Sequence, residues 1–330
     1  MTISGDHARI DRFAFRDRYV NAHLDRVEAR AERLMTLGFH GNPHLDIARR
    51  RAPRIDRSNP ATAWLIAQLP AMAAWLDLLP TVAALEPLYR PDLEHLPDGT
   101  AIDPMSREWF RNLVDARGVR SRAAALTEAI LARADDGDRW LSLSSRTARP
   151  VLDAAAARAP RGLTLVDPDP DALIRARRIA ERRRIAGVRT VRTGILDPAG
   201  VEAARRRRVI GGDYGIVEAV GVLQYLPVDD RPGVGARPAS GARASAGAVS
   251  FLRNAFALVR PGGHLIVANM LDTHPHLAFT LNVLQWPHVR PRSVVDTVDL
   301  LVRAGVPSDI TVVLPDDGVH ALYVARKPGA

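Results

Sequence analysis

The chain of 330 residues contains no cysteine. Disulfides, thiolate metal sites and cysteine nucleophiles are excluded, and the absence fits a reducing cytoplasm, the expected location. Lysine is almost missing: Lys327 is the only one, so nearly all of the 46 basic residues are arginine. A net charge of +9 would ordinarily point to nucleic acid, because basic patches neutralise phosphates. Aromatic residues are scarce as well, at 5%. They do not interleave with the arginine runs at 49–51, 182–184 and 205–208, as base stacking would require. Those runs read as solvated helix faces, and nucleic acid is not the expected partner. Residues 1–20 lack the apolar stretch of a signal peptide. The most apolar segment, 63–85, is interrupted by Gln68, Pro70, Asp77 and Pro80, so no membrane association is expected. No P-loop, G-x-S-x-G elbow or H-E-x-x-H pair occurs.

The first hundred residues carry helical periodicity and no convincing strand. Val20, Leu24, Val27, Ala31 and Leu34 recur at spacings of three and four, predicting a helix over 17–37 closed by Gly38. Apolar helices follow within 61–89, then two more near 105–115 and 121–134, the second capped by Ser121. From residue 139 short apolar runs alternate with helical segments, the pattern of a doubly wound α/β sheet. Seven strands are expected, at 140–143, 163–166, 189–193, 214–220, 264–268, 310–314 and 321–325, mostly parallel with an antiparallel last strand. The division is a helical region 1–118, suited to a lid or to homodimer contacts, and a Rossmann-like domain 119–330. The Pro, Gly, Ala and Ser of residues 229–248 make that insert a mobile loop.

In open α/β sheets ligands sit beyond the carboxyl ends of the strands, so the residues following each strand carry the chemistry. The first strand and its turn read Trp140-Leu-Ser-Leu-Ser-Ser-Arg-Thr-Ala148. The second ends in Asp167, and the third is followed by Asp197. The fourth reads from Tyr214 through Glu218 and Ala219 to Tyr225, and an R-P-G-G-H-L-I-V segment covers residues 260–267. This series resembles class I S-adenosylmethionine (SAM)-dependent methyltransferases, and the segments 213–227, 275–279 and 292–293 resemble a family of uncharacterised bacterial methyltransferase-like proteins. The resemblance covers about 200 residues. It implies SAM as cofactor, with Asp167 at its ribose, Asp197 at its adenine, and residues 218–225, including Tyr225, lining the methionine end and the substrate pocket.

The first motif departs from that family. Ser142 stands in place of the acid in the strand, and Ser144, Arg146 and Ala148 in place of the three glycines of the turn, where φ > 0 and close backbone approach favour glycine. Beyond the fifth strand, Asp272, His274 and His276 occupy an expected ligand-facing rim. His274 or His276 is a candidate general base, since imidazole titrates near neutrality. A metal site there is not expected, because no further ligand is evident. The implied activity is SAM-dependent methylation of a small molecule. The alternative is a methyltransferase-like protein that binds or regulates without catalysis.

Overall fold

A computed structural model describes residues 8–20, 27, 29–30, 33, 55–79, 81–144, 146–193, 210–228 and 247–329. Its centre is one eight-stranded sheet in the order β1-β7-β8-β6-β5-β2-β3-β4. The strands are β1 (Ala8–Phe13), β2 (Arg139–Leu143), β3 (Gly162–Asp167), β4 (Val188–Arg192), β5 (Tyr214–Val220), β6 (Val259–Met270), β7 (Ile310–Pro315) and β8 (His320–Arg326). Pairing is parallel except for β8, which runs antiparallel to both β6 and β7. Apolar residues along β2, β3, β5 and β6 are buried on both faces, as sandwiching between helix layers demands.

The eighth strand corrects the expectation of seven, and of helices alone before the sheet. Strand β1, Ala-Arg-Ile-Asp-Arg-Phe, adds in parallel to the outer edge of β7. No residue of it is fully buried. Its Arg and Asp side chains suit a solvated edge, so main-chain hydrogen bonds hold it and no alternating apolar pattern marks it in sequence.

The described helices are α1 (Pro60–Gln68), α2 (Pro70–Asp77), α3 (Val82–Tyr89), α4 (Pro104–Asn112), α5 (Val114–Leu131), α6 (Arg149–Ala157), α7 (Pro170–Arg182), α8 (Ala248–Ala257), α9 (Leu277–Asn282) and α10 (Val294–Arg303). Helices α8 and α10 pack one face of the sheet, and α5, α6 and α7 pack the other. Helix α5 begins at Val114, seven residues before the expected cap. Ser121 lies inside it and donates its hydroxyl to the Gly118 carbonyl. Gly118 is required mid-helix, because Val319 packs 2.5 Å from where its Cβ would stand. Of the expected 17–37 helix, residues 17–20 form a turn, and the described positions 27, 29, 30 and 33 are helical. The insert lies outside the described residues up to 246; at 247–248 it gives way to α8.

A third core joins helices α1 to α5 to the chain just past β6. Trp75 meets Phe110 and Trp286 edge-on at 5.6 and 6.1 Å, and Trp109 stacks on Phe279 at 5.7 Å. Such aromatic pairs add to the area they bury. Here they fix the N-terminal helices over the carboxyl ends of the central strands. Arg120 is the polar pin of this assembly. Its guanidinium reaches the carbonyls of Leu88, Phe110 and Arg111 and pairs with Asp17 at 2.7 Å, both side chains 5% exposed. Removing the partner of a buried charge is costly. Asp17→Asn should therefore lower unfolding free energy by about 2 kcal/mol in urea titration, and an unchanged midpoint would contradict this role.

Candidate functional site

The turn after β2 is wound as a glycine-rich turn would be, although it contains no glycine. Ser144, Arg146 and Ala148 have φ of 57°, 44° and 51°. These are the positions that the motif comparison sets against glycines. Left-handed backbone at a residue bearing a Cβ costs about 1–2 kcal/mol, so something must hold it. That support is Asp167 at the end of β3. One carboxylate oxygen accepts the Arg146 N–H at 2.8 Å and the other the Asp169 N–H at 2.9 Å. Burial pushes the Asp167 pKa up, and the N–H donors of Asp169 and Arg146 pull against it.

Behind this turn lies a cavity of about 50 Å³ between the strand ends and α5. Arg122, Arg146, Glu218, Gln224, Tyr225 and His320 are among its walls. Ser142 and Glu218 face each other across β2 and β5 in register. The Ser142 hydroxyl donates to one Glu218 oxygen, and the Val220 N–H donates to the other at 2.9 Å. Burial raises the Glu218 pKa to about 7, against the lowering influence of Ser142, Val220 and Arg122. Arg122 approaches His320 Nε2 at 3.1 Å. Since guanidinium only donates, that nitrogen is the acceptor, and burial, Arg122 and His274 together keep His320 well below its ordinary pKa. The side-chain Oε1 of Gln224 is buried and has no donor among the described residues.

The floor of the cavity is set by a single arginine. Arg292 is buried and donates to the Leu223 carbonyl at 2.9 Å, to the Leu226 carbonyl and to Asn269 Oδ1 at 3.0 Å. It thereby fixes the short turn Leu223–Tyr225, and Trp286 Nε1 donates to the Tyr225 hydroxyl at 2.9 Å.

The residues singled out in sequence divide into two groups. Arg146, Ala148, Glu218 and Tyr225 line the cavity, with Ser144 and Asp167 supporting the turn. Ala219 packs in the core of the sheet, and Asp272 is exposed. His276 stands at the N-cap position of α9 without a side-chain cap bond. His274 is buried behind the cavity: its Nδ1 accepts the His276 N–H at 2.9 Å and its Nε2 lies 3.3 Å from Asp115. Asp197 lies outside the described residues. Sequence reasoning missed Asp115, Arg122 and His320, whereas Gln224 lies within the 218–225 stretch it assigned to the pocket. A signal existed, since Asp115, Val119, Arg122 and Leu126 follow spacings of four, three and four. That pattern makes one helix face in which two charges stand among apolar neighbours. Among the described residues no group of three metal-ligating side chains occurs, and no helix is long and apolar enough to cross a membrane.

No protein-family model matches the chain, and no curated protein matches it in sequence. Solved structures do. A "possible exported protein" from Bordetella parapertussis superposes with a TM-score of 0.61 at 18% identity, over 93% of this chain and 96% of that one. The CMeT domain of the citrinin polyketide synthase gives 0.50 at 15% identity, over 91% and 80%. The SAM-dependent methyltransferase SibL in its apo form gives 0.49 at 18%, over 82% and 77%. At these identities the likeness is one of fold. What is shared is the α/β fold, a mostly parallel sheet between helix layers, and the Bordetella likeness extends over nearly the whole chain.

Proposed function

We propose that this protein is a SAM-dependent methyltransferase acting on a small-molecule acceptor, with the helices between residues 60 and 112 forming the wall that closes the site and the sheet with its flanking helices forming the transferring domain. The observation that supports this most is the turn after β2. Three consecutive alternate residues keep a left-handed backbone that their side chains disfavour, anchored on Asp167. Strain of this kind persists where the site uses the geometry.

The donor set suits the cofactor. Asp167 offers lone pairs to ribose hydroxyls, Glu218 offers a desolvated carboxylate to a cation, and Gln224 has an uncommitted side-chain oxygen. The space must open: ligand sites run from about 300 Å³ upward, several times the present cavity, so the Arg146 side chain and the 223–225 turn have to yield. When bound, SAM supplies a methyl group already activated on sulfonium. The chain's contribution is then orientation, exclusion of water by the N-terminal wall, and a proton acceptor where the acceptor group must lose a proton. We assign that last task to Glu218, which faces the cavity and whose pKa lies near neutrality, as a base at physiological pH requires. In this reading His274, close to Asp115 one layer behind, supports the wall, and His276 and Asp272 lie toward its outside.

A calorimetric titration with SAM and S-adenosylhomocysteine tests the proposal. A Kd of roughly 100 µM, about −5.5 kcal/mol, is expected because part of the binding free energy goes into opening the cavity. No binding of either compound up to 1 mM would reject it. Arg146 in the cavity wall favours a second reading, a binding protein without catalysis; saturable SAM binding with no methyl transfer to any acceptor in a broad panel would favour that one.

A further inference from the structure

A second depression lies on the outer side of the cavity wall. Helix α7 carries Arg175, Arg178 and Arg182 at spacings of three and four, which places them on one face. They share a groove of about 280 Å³ with Arg90 and His95, from the segment after α3, and with Arg149 at the start of α6. Glu86 is the only carboxylate in its lining, and it is committed to Arg149 at 2.9 Å. Among the described residues no carboxylate pairs with Arg90, Arg175, Arg178 or Arg182. Five guanidiniums against one carboxylate leave four positive charges on a concave surface. Like charges so gathered repel one another unless an anion is held between them. Guanidinium forks match phosphate oxygens two at a time.

We propose that this groove binds the phosphate or pyrophosphate of a small molecule, and that the methyl acceptor is a phosphorylated compound. The second half rests on the methyltransferase reading; the first does not. Adjacency carries the link. Leu85, Tyr89 and Pro150 line the cavity, while their chain neighbours Glu86, Arg90 and Arg149 line the groove. One layer of side chains therefore separates a phosphate in the groove from the space around Glu218. A nucleic-acid backbone fits less well, since the groove is short, Leu93 and Pro97 form part of its wall, and no Phe, Tyr or Trp in its lining could stack successive bases.

The test is titration of the full chain with inorganic pyrophosphate at 50 mM NaCl. Saturable binding below 1 mM is expected in the parent. It should weaken at least tenfold in Arg175→Gln/Arg178→Gln, and again in Arg90→Gln. Arg177→Gln, an exposed arginine of the same helix that bonds Thr190, should leave it unchanged. Thermal unfolding of all variants should match the parent, because Arg178 and Arg90 are exposed and Arg175 half-buried. Absence of binding to 10 mM, equal weakening by Arg177→Gln, or tighter binding of a mixed-sequence 30-nucleotide single strand with the same arginine dependence would each overturn the proposal. SAM titration of the parent keeps the two readings apart: pyrophosphate binding in a protein that never binds SAM removes the methyl acceptor and leaves the anion site.

Discussion

Glu218→Gln should stabilise the protein at pH 8.5 by about 3 kcal/mol and leave it nearly unchanged at pH 4. The Glu218 carboxyl goes from 4.5 in the open chain to about 7 in the fold because burial penalises its charged form. At about 1.4 kcal/mol per pH unit between the two values, the folded state favours the neutral acid by about 3 kcal/mol. A raised acid contributes its stability in full below pH 4.5 and loses it as pH climbs through 7. Glutamine is neutral throughout, and its amide can still bond Ser142 and the Val220 N–H. Urea unfolding of both proteins at the two pH values measures the difference, and equal gaps would show that the carboxylate is not desolvated. The groups facing Glu218 are Ser142, the Val220 N–H and Arg122, with Arg146 and His320 elsewhere in the same wall. A cationic ligand seated there should favour ionisation, so SAM binding at pH 6 should release a proton in the parent and none in Glu218→Gln.

The sheet was legible because buried parallel strands write themselves as short apolar runs. The 214–220 strand, Tyr-Gly-Ile-Val-Glu-Ala-Val, coincides with β5, and the other six expected strands each overlap an observed one. Strand β1 was not legible, since an edge held by main-chain bonds leaves no side-chain pattern. The same division applies to the site. Asp167, Glu218 and Arg146 could be read from the sequence because they lie at or just past the carboxyl ends of strands, where such folds place ligands. Arg122 and His320 come from α5 and from the start of β8, elements brought to the strand ends only by tertiary packing, so the charged face of α5 can be read from spacing but its place at the cavity cannot. Their pairing joins residues 198 positions apart.

The turn after β2 makes the sharpest case, because two sets of substitutions should move it in opposite directions, one lowering stability and SAM binding together and the other raising both. Asp167→Ala takes the acceptor from the Arg146 and Asp169 N–H groups. At about 1.5–3 kcal/mol for a hydrogen bond to a charged group, the loss should be about 3 kcal/mol in unfolding free energy, with SAM binding abolished. Changing Ser144, Arg146 and Ala148 together to glycine acts the other way. Each change relieves about 1–2 kcal/mol of left-handed strain and gives back about 0.5–1 kcal/mol in unfolded-chain entropy. The triple variant should therefore be about 2 kcal/mol more stable than the parent. It should also bind SAM at least tenfold more tightly, since the Arg146 side chain no longer stands in the cavity wall. Chemical unfolding and calorimetry on the three proteins decide the matter. If the triple variant gains stability yet loses SAM, Arg146 is itself a ligand, its guanidinium well suited to the carboxylate of a bound amino acid. The arginine would then be the residue for which this chain gave up its glycines.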